Sequence, residues 1–356
     1  MDDLRSSVRA FLRSRAFAPA VDAWHAGWDE EFTRALAGRG WVGMTIPKEY
    51  GGAGRTFLER FTVTEELLAA GAPVAAHWIA DRQIAPSLLA HGTEEQKQAY
   101  LPAIARGECY FAIGMSEPES GSDLAGVRTR AQRTDGGWLL TGTKVWTTGA
   151  HRAHAILVLA RTAPPDSAAR HDGLAQFIVD LRSPGVTISP IVTMGGEQHF
   201  NEVALVEVFV ADDRVLGRVG DGWRQVTSEL GYERSGPERF MSTLPLLTET
   251  VARTRRGALP RHPDLGRHIA RLAALRHLSR GVAASLQAGE RADVEAALVK
   301  VLGTSLEGDI VDYTESLGAA SPLLTTALLR RAGFTLRGGT SEILRGVIAR
   351  DLGLRR

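Results

Sequence analysis

A loop rich in hydroxyl groups is the first stretch of the chain whose residue types and spacing could do chemistry. It spans residues 115–123, reads MSEPESGSD, and places Ser116, Ser120 and Ser122 around Gly121. Serine hydroxyls, together with backbone N–H groups at a glycine that allows close approach, can donate to a phosphate or to the edge of a heterocycle. The same composition is typical of a turn held by its own Ser and Asp side chains. The residues alone leave both interpretations open.

A second segment, near the C-terminus, has the composition of a helix start. In Arg337–Ile343, read as RGGTSEI, two glycines precede a capping threonine, an acidic residue and an apolar residue. Helix N-termini expose N–H groups and a partial positive charge, so they bind anions or polar ligand edges. Threonine followed by an early acid is also the pattern of an ordinary capped helix. Taken alone, this segment predicts a capped helix.

Several well-known catalytic patterns are absent from the sequence. There is no P-loop, no G-x-G-x-x-G between a strand and a helix, no His-Glu-x-x-His and no serine in a nucleophile elbow. His151 and His154 are three residues apart, but no third ligand follows at a suitable spacing. We therefore predict neither a metal site nor nucleophilic hydrolysis.

The composition is that of a globular protein with a large core. The chain has 356 residues, 44% of them apolar, which favours more than one domain. Its net charge is +1, from 42 basic and 41 acidic residues, so nothing favours binding to nucleic acid or to an anionic membrane. The only cysteine is Cys109, the first 15 residues lack an apolar stretch, and no apolar run approaches about 20 residues. We expect a cytoplasmic protein.

The elements that must position the two segments change in character twice along the chain. Residues 1–109 show helical periodicity, residues 110–215 consist of short β-branched runs between turns, including a turn at Gly142, and residues 216–356 are helical again. This order excludes the regular alternation of a doubly wound sheet. We predict an α+β protein with an N-terminal α-helical domain, a middle antiparallel β domain and a C-terminal domain of the four-helix-bundle type.

Three separated strings resemble signatures of the acyl-CoA dehydrogenase family. SEPESGSD resembles the family's TEPxxGSD, KVWTTG at Lys144–Gly149 is similar to its K-x-W-[IT]-[ST], and RGGTSEILR is similar to its GGTSEI-x-R. Further matches in the same order extend the resemblance from about residue 30 to 354. The family's helical, β and helical layout agrees with the layout predicted from the residues.

The resemblance implies FAD, bound between the β domain and the C-terminal bundle. Positions that match cofactor-binding positions of the family are Met115, Ser116, Ser122, Trp146, Thr148, Gly339, Thr340 and Glu342. Met115 and Ser116 would lie along the isoalloxazine edge, and Ser122 would reach a flavin phosphate or the pantetheine. Trp146 would pack against the flavin, and Thr148 would bond near its N5. Filling a core is the alternative role for a tryptophan.

The resemblance also implies a carboxylate base that takes the α-proton of an acyl thioester. Many family members carry this glutamate directly before the Gly-Thr of the C-terminal motif, where this chain has Gly338. Members resembling isovaleryl-CoA and long-chain dehydrogenases carry it on an earlier helix, before an arginine; the match here is Glu233, followed by Arg234. We predict Glu233 as the base, and a solvated or salt-bridged helix glutamate is the alternative. Substrate contacts are expected from Ser122, Tyr232, Arg234 and Gly338.

The backbone N–H of Gly338 would donate to the thioester oxygen and so acidify the α-proton. Arg337 stands where relatives are often aromatic, which predicts a polar or carboxylated acyl group. Two further departures concern cofactor contacts: Ala252–Ala258 lacks the phenylalanine of an FAD-gripping Phe-Gly pair, and Glu315–Gly318 replaces a common Gln-x-x-Gly-Gly. These gaps imply incomplete FAD binding or a partner subunit that supplies the missing contacts.

The sequence therefore predicts FAD-dependent α,β-dehydrogenation of an acyl-CoA or acyl-carrier-protein thioester. Electrons would pass to an electron-transfer flavoprotein or a similar acceptor, and the chain would form a homotetramer or a heteromer with a related subunit. Two alternatives remain. One is a flavin oxidase or monooxygenase on the same fold, acting on a nitroalkane or an amine. The other is a subunit of a heteromeric flavoprotein that does not itself catalyse the reaction.

Overall fold

The structure is a computed structural model that describes residues 1–164 and 168–354, without the side chains of residues 229–233. The chain forms two compact units. The helical unit comprises Met1–Asp29, Arg55–Ala75 and Leu230–Arg356, and the β unit comprises Glu30–Gly54 and Ala76–Glu229. The three predicted domains, with boundaries near residues 109 and 215, stay a prediction.

Helices occupy both ends of the chain, as the periodicity predicted. They are α1 Asp2–Arg13, α2 Ala23–Ala26, α3 Glu30–Ala37, α4 Phe57–Ala69, α5 Ala75–Ile79, α6 Ala85–His91, α7 Glu94–Ala105, α8 Gly222–Arg234, α9 Leu244–Arg255, α10 Asp264–Gln287, α11 Asp293–Ser316, α12 Pro322–Phe334 and α13 Ser341–Asp351. A π-helical turn, Ala80–Ile84, joins α5 to α6. Helix α7 begins with a capping box, in which Thr93 and Gln96 exchange hydrogen bonds.

Strands fill the middle of the chain and form one sheet. They are β1 Phe111–Gly114, β2 Arg130–Thr134, β3 Gly137–Thr148, β4 Ala155–Arg161, β5 Leu174–Asp180, β6 Val186–Ile191, β7 Phe200–Ala211 and β8 Val215–Leu216. The order is β6-β7-β3-β2-β4-β5-β8, with β1 paired to β4. Most pairs are antiparallel, as predicted, but β1 and β2 each pair with β4 in parallel.

The expected turn at Gly142 is wrong. Gly142 lies inside β3, and a Cβ on it would come within 2.3 Å of the Thr129 hydroxyl oxygen. The glycine is therefore needed because the segment around Thr129 approaches β3 closely, whereas the sequence alone predicts a reversal of the chain there. The β3–β7 register shifts here and again between Lys144 and Thr147, so β3 carries two irregularities along one continuous strand.

Strand β4 shows how the β unit builds its core. Its first four residues alternate between two apolar clusters, and every residue of the strand is buried. Ile156 and Val158 pack with residues of β3, β5 and β7, whereas Ala155 and Leu157 pack with residues of the Ala80–Ala105 helices. The sheet is thus covered by helices on the face that also carries Phe111, at the start of the strand that leads to Met115.

Helix α11 is the centre of the helical unit. It packs against α9, α10, α12 and α13, and the side chains along most of its length are buried. Helix α4 packs against α1 and α10 within the same unit. In the described parts of both units, no helix has the length and apolar character needed to cross a membrane.

Candidate active site

The start of the hydroxyl-rich loop is fixed against β3 through its backbone. The Val145 N–H donates to the Ser116 carbonyl at 2.9 Å, and the Lys144 ammonium donates to the Met115 carbonyl at 3.2 Å. Because Trp146 follows directly, these bonds bring the first and second motif strings together. Met115, Ser116 and Trp146 therefore belong to one surface of the β unit, which we call the indole surface.

Glu117 is the internal anchor of this surface. Its buried carboxylate accepts hydrogen bonds from the Arg128 N–H at 2.6 Å, the Thr129 N–H at 2.9 Å and the Lys144 ammonium at 2.8 Å. Burial would raise the pKa of Glu117, but the Lys144 charge and these hydrogen bonds outweigh it, so the pKa is lowered. Burial lowers the pKa of Lys144 to about 8, with Glu117 opposing the shift. The loop thus closes around a satisfied ion pair.

The sequence alone assigns no role to Glu117 or Lys144, although both lie inside the motif strings. The signal was present: both are charged residues, which are almost never fully buried unless they are paired. Lys144 is 0% exposed and Glu117 is 8% exposed. The glutamate and the lysine in these two motif strings were therefore candidates to form an ion pair with each other.

Trp146 is exposed in a backbone conformation that tryptophan rarely adopts. Its φ is +58°, its side chain is 58% exposed, and its indole packs edge-on against Phe200 with centroids 5.6 Å apart. A non-glycine residue in the left-handed region usually marks a strained functional position. The alternative role of filling a core is excluded by the exposure, and the flat indole face is suited to stacking against a planar ring. Thr148, two residues on, is half-buried.

The rest of the loop shows features of both interpretations that the sequence left open, a turn held by its own side chains and a loop that presents hydroxyl groups to a ligand. The Ser120 hydroxyl donates to the Asp123 carbonyl at 2.5 Å, and Asp123 pairs with Arg170 at 2.7 Å, which is the self-stabilised turn. Ser122 is exposed, and its hydroxyl has no hydrogen-bond partner within the described chain, which leaves it open to a ligand. The chain itself does not require Gly121, because a Cβ there would meet nothing within 4 Å.

The C-terminal segment forms the predicted capped helix. Thr340 is the N-cap of α13, and its hydroxyl accepts from the Ile343 N–H at 3.5 Å. Glu342 is exposed in the first turn, and hydrogen bonds from its own backbone N–H and from Thr340 lower its pKa. Gly338 and Gly339 approach the helix with φ of +68° and +85°, conformations that favour glycine.

Two arginines lie against these glycines. A Cβ on Gly338 would lie 3.0 Å from the guanidinium of Arg239, and a Cβ on Gly339 would lie 3.1 Å from Nη2 of Arg234. Arg234 also donates through Nε to the Gly338 carbonyl at 3.2 Å. The space in which a glutamate at position 338 would begin is therefore taken by Arg239. The Gly338 N–H has no acceptor among the groups that the structure describes.

Arg337 points into the helical unit, where carboxylates pair with it, and the polar acyl group predicted from it stays a prediction. Its guanidinium forms an ion pair with Asp22, donates to the Ser242 hydroxyl at 3.1 Å and lies 3.6 Å from Oε2 of Glu307. It also covers the Trp24 ring at 4.8 Å, and the side chain is only 13% exposed. Two buried carboxylates compensate the charge of the arginine in this buried position. Both lie far from residue 337 in the sequence.

Glu307 is the buried end of this network. It is 0% exposed and accepts from the Ser242 N–H at 2.8 Å. Burial raises its pKa to about 7, with Arg337 opposing the shift. Lys300 on the same helix donates to the Thr335 carbonyl at 2.8 Å, and burial, together with the charges of nearby arginines, lowers its pKa to about 7. The helical unit thus concentrates positive charge under the Gly338–Gly339 turn.

The predicted base and one predicted substrate contact lie outside the described side chains. Glu233 and Tyr232 belong by their backbone to the last turn of α8, and Arg234 follows them. The role of Glu233 therefore stays a prediction. The two histidines considered as metal ligands have other partners: His151 contacts the Asn201 side chain at 3.0 Å, and His154 accepts from the Tyr110 N–H at 3.0 Å. Within residues 1–164 and 168–354, no three metal-ligating side chains cluster.

Comparison with known proteins accounts for nearly the whole chain. Family models described as the N-terminal, middle and C-terminal domains of acyl-CoA dehydrogenase match residues 1–108, 112–207 and 220–353. The chain is 34% identical to acyl-CoA dehydrogenase FadE29 of Mycobacterium tuberculosis, over 89% of this chain and 86% of that protein. It is 36% identical to FadE34 of the same organism, over 92% of this chain but only 47% of that protein, so it spans about half of FadE34.

Solved structures agree with these matches. The Tcur3481-Tcur3483 steroid ACAD superimposes with a TM-score of 0.89 at 31% identity, covering 100% of this chain and 97% of that one. The ChsE4-ChsE5 complex from Mycobacterium tuberculosis gives a TM-score of 0.84 at 28% identity, with coverages of 100% and 97%. The fold is that of a flavoprotein oxidoreductase. The chain belongs to the acyl-CoA dehydrogenase family, whose members are flavin-dependent and act on acyl-CoA.

Proposed function

We propose that this protein catalyses the FAD-dependent α,β-dehydrogenation of an acyl thioester to the 2-enoyl thioester. The observation that carries the proposal is the indole surface, where an exposed and backbone-strained Trp146 stands beside Met115 and Ser116. An exposed tryptophan ring gains buried apolar area when a planar ligand covers it. Membership of the family supplies the class of reaction.

The residues present fit the proposed cofactor. On the β unit, Met115, Ser116, Trp146 and Thr148 would contact the flavin ring, and the free Ser122 hydroxyl would bind a phosphate. On the helical unit, the contacts would come from Gly339, Thr340 and Glu342. FAD, when bound, supplies the acceptor for the β-hydrogen, which leaves the substrate as hydride.

The remaining chemistry belongs to the chain's own groups. Glu233 would accept the α-proton at its carboxylate, since position 338, used by many relatives, has no carboxylate. The Gly338 N–H would donate to the thioester oxygen and stabilise the negative charge that develops there. That N–H has no acceptor within the described chain, which supports this role. Arg234 would hold the turn in place through the Gly338 carbonyl, and Tyr232 would contact the substrate.

The test is the visible spectrum of the purified protein before and after anaerobic addition of acyl-CoA thioesters. The panel contains straight, branched and steroid-type acyl groups. We expect an oxidised flavin band that at least one thioester bleaches. If a flavin-loaded protein is bleached by none of them, nor by the same acyl groups on a carrier protein, the dehydrogenase proposal is wrong. Rapid reaction of the reduced flavin with oxygen would then favour the oxidase or monooxygenase alternative.

We further propose the setting in which the reaction occurs. The electrons would leave to an electron-transfer flavoprotein or a similar acceptor, and the chain would assemble as a homotetramer in the cytoplasm. The substrate carrier would be coenzyme A or an acyl carrier protein. The single cysteine and the near-neutral charge support a reducing compartment without a nucleic-acid partner.

A second candidate is a subunit of a heteromeric acyl-CoA dehydrogenase. Two observations favour it: relatives of this chain are described by paired names, and the Phe-Gly contact for FAD is absent. The two candidates differ in flavin content. A chain that is colourless alone, and gains flavin only when it is purified with a related chain, would support the heteromer. Full flavin occupancy in the isolated chain would exclude it.

A further inference from the structure

Arg82 lies on the π-helical turn between α5 and α6 in the β unit. The turn spans Ala80–Ile84, and the N–H of Ala85 donates back to the Ala80 carbonyl, five residues earlier. Single π-helical turns inside α-helices are rare and occur frequently at functional sites. Ala80 and Ile84 hold the turn in the apolar cluster that covers the sheet. Arg82 lies instead over Trp78, which is not part of that cluster, with its guanidinium carbon 4.9 Å from the ring centroid.

The Arg82 guanidinium is buried but incompletely satisfied. The side chain is 12% exposed, and its buried Nε and Nη2 atoms find no hydrogen-bond acceptor within the described chain. Asp81 is close, with Oδ2 at 3.0 Å from Nε, but the angles do not make a hydrogen bond. The other Asp81 oxygen is used by the Gly43 N–H at 2.8 Å. The aspartate therefore balances the charge of Arg82 without filling its donor directions.

Buried guanidinium N–H groups without acceptors are costly, so proteins retain them where another group supplies the acceptor. Arginine presents these donors in a planar fork that matches the two oxygens of a carboxylate and can also donate to a carbonyl oxygen. The Trp78 ring beneath the fork offers an apolar platform for the carbon skeleton next to such an oxygen. The combination is suited to an organic group that carries an oxygen acceptor.

The helices around Arg82 pack beside the strand that leads to Met115. The sheet-facing side of the turn shares a cluster with Phe111, the first residue of the strand that ends just before Met115. At the far end of α6, His91 contacts Ser228 of α8 at 3.3 Å, and the last turn of α8 carries Glu233. From Arg82 to His91 the helix rises about 14 Å, which is comparable to the length of an acyl group.

We propose that Arg82 is a specificity-determining residue that binds an oxygen acceptor on the part of the acyl group remote from the thioester. This inference rests on the proposed function. The acceptor is a carboxylate or a ketone, because both present the lone pairs that the fork needs. Arg82 takes the role that the sequence suggested for Arg337, whose charge is neutralised inside the helical unit.

The test uses three acyl-CoA thioesters with the same carbon skeleton, ending in a methyl group, a ketone or a carboxylate. Wild-type protein is expected to reduce its flavin with one oxygenated member at a kcat/KM about 10- to 100-fold above that of the methyl member. Arg82→Met should bring this ratio close to one while activity on the methyl member stays within about threefold. Arg82→Lys should give an intermediate ratio, because it keeps the charge but loses the fork. The matched control is Arg106→Met, which removes an exposed arginine of the same unit.

Either of two results overturns the inference: equal wild-type activity on all three thioesters, or a preference that survives in Arg82→Met. Calorimetric binding of the matching thioether analogues, which cannot be oxidised, separates this inference from the proposed reaction. If no thioester bleaches the flavin but the affinity of the oxygenated thioether depends on Arg82, the proposed reaction fails and the inference stands. If thioesters bleach the flavin and Arg82→Met changes only thermal stability, Arg82 is purely structural.

Discussion

Each unit of this protein contains a buried glutamate that faces a cation, and the two glutamates behave in opposite ways. In the β unit, Glu117 accepts three hydrogen bonds, one of them from Lys144, and its pKa is lowered. In the helical unit, Glu307 accepts one hydrogen bond from Ser242 and lies 3.6 Å from Arg337, and burial raises its pKa to about 7. Glu307 is more deeply buried than Glu117 and has fewer donors, and both differences raise its pKa relative to that of Glu117.

The difference teaches how each unit supports its part of the proposed site. The Glu117–Lys144 pair is a closed unit of structure that fixes the indole surface. The network of Arg337, Asp22 and Glu307 holds the Gly338–Gly339 turn from behind, and its charge changes near neutral pH. Both anchors contain a group that titrates near neutral pH, Lys144 with a pKa of about 8 and Glu307 with a pKa of about 7, but only the carboxylate of the β unit accepts three hydrogen bonds.

The largest effect is expected from Lys144→Met. It leaves a buried carboxylate without its cation, so we expect a loss of about 3–5 kcal/mol in the free energy of unfolding. Flavin retention should fall as well, since the Met115 carbonyl loses its hydrogen bond to Lys144 of β3. Urea denaturation and the flavin absorbance per chain measure the two effects.

The double variant Glu117→Gln, Lys144→Met should recover part of the stability, because no charge is left buried. Lys48→Met, which removes an exposed lysine of the same unit, is the matched control. A loss in Lys144→Met no greater than that in Lys48→Met would show that the pair does not anchor the surface.

A smaller and pH-dependent effect is expected from Arg337→Met. The folded pKa of Glu307, about 7, exceeds its unfolded value of 4.5, so its stabilising contribution is complete below about pH 4.5 and is lost as the pH rises through 7. Removing Arg337 raises that pKa further, because the arginine opposes the shift. We expect a loss of roughly 1–3 kcal/mol that is larger at pH 8 than at pH 5.5, measured by denaturation at both values.

Glu307→Gln is the companion variant, since it cannot titrate. As the pH rises from 5 to 7, the wild type should lose stability relative to this variant. Taking the difference removes the contribution of other groups, such as His77, whose pKa burial lowers to about 4. A difference that stays constant over this range would mean that Glu307 is ionised throughout and that the comparison with Glu117 fails.

The smallest effects distinguish the glycines of the two motifs. Gly338→Ala places a Cβ at φ +68° and 3.0 Å from Arg239, so we expect a loss of roughly 1–2 kcal/mol. Gly121→Ala meets no neighbouring atom within 4 Å and should change stability by less than about 0.5 kcal/mol. Thermal denaturation of both variants checks the contrast, and equal losses would contradict it.

The sequence predicted the layout of the fold because that layout is written in local periodicity. Helices, then strands, then helices follow from spacing alone, and the caps at Thr93 and Thr340 follow from residue type. The parallel pairing of β1 with β4 and the continuity of β3 through Gly142 depend on neighbours outside the local window. Strand pairing across a sheet cannot be read from one strand at a time.

The site was predictable where a motif is self-contained and unpredictable where partners lie far apart. The indole surface joins two strings about thirty residues apart, and both were recognised. Arg337 pairs with Asp22, which is 315 residues away. No spacing rule connects those positions, so the sequence does not show that Arg337 pairs with carboxylates inside the helical unit. The same holds for Arg239, whose guanidinium lies against Gly338.

The most direct test of the central claim is the rate of anaerobic flavin reduction by the best thioester in Glu233→Gln. Glu290→Gln, which changes an exposed glutamate of the same unit, is the control. If Glu233 is the base, its substitution should slow flavin reduction by about 10²- to 10⁴-fold at unchanged flavin content, while the control stays within about twofold of the wild type. A flavin-loaded Glu233→Gln protein that is reduced within tenfold of the wild-type rate would contradict the account and would place the base elsewhere.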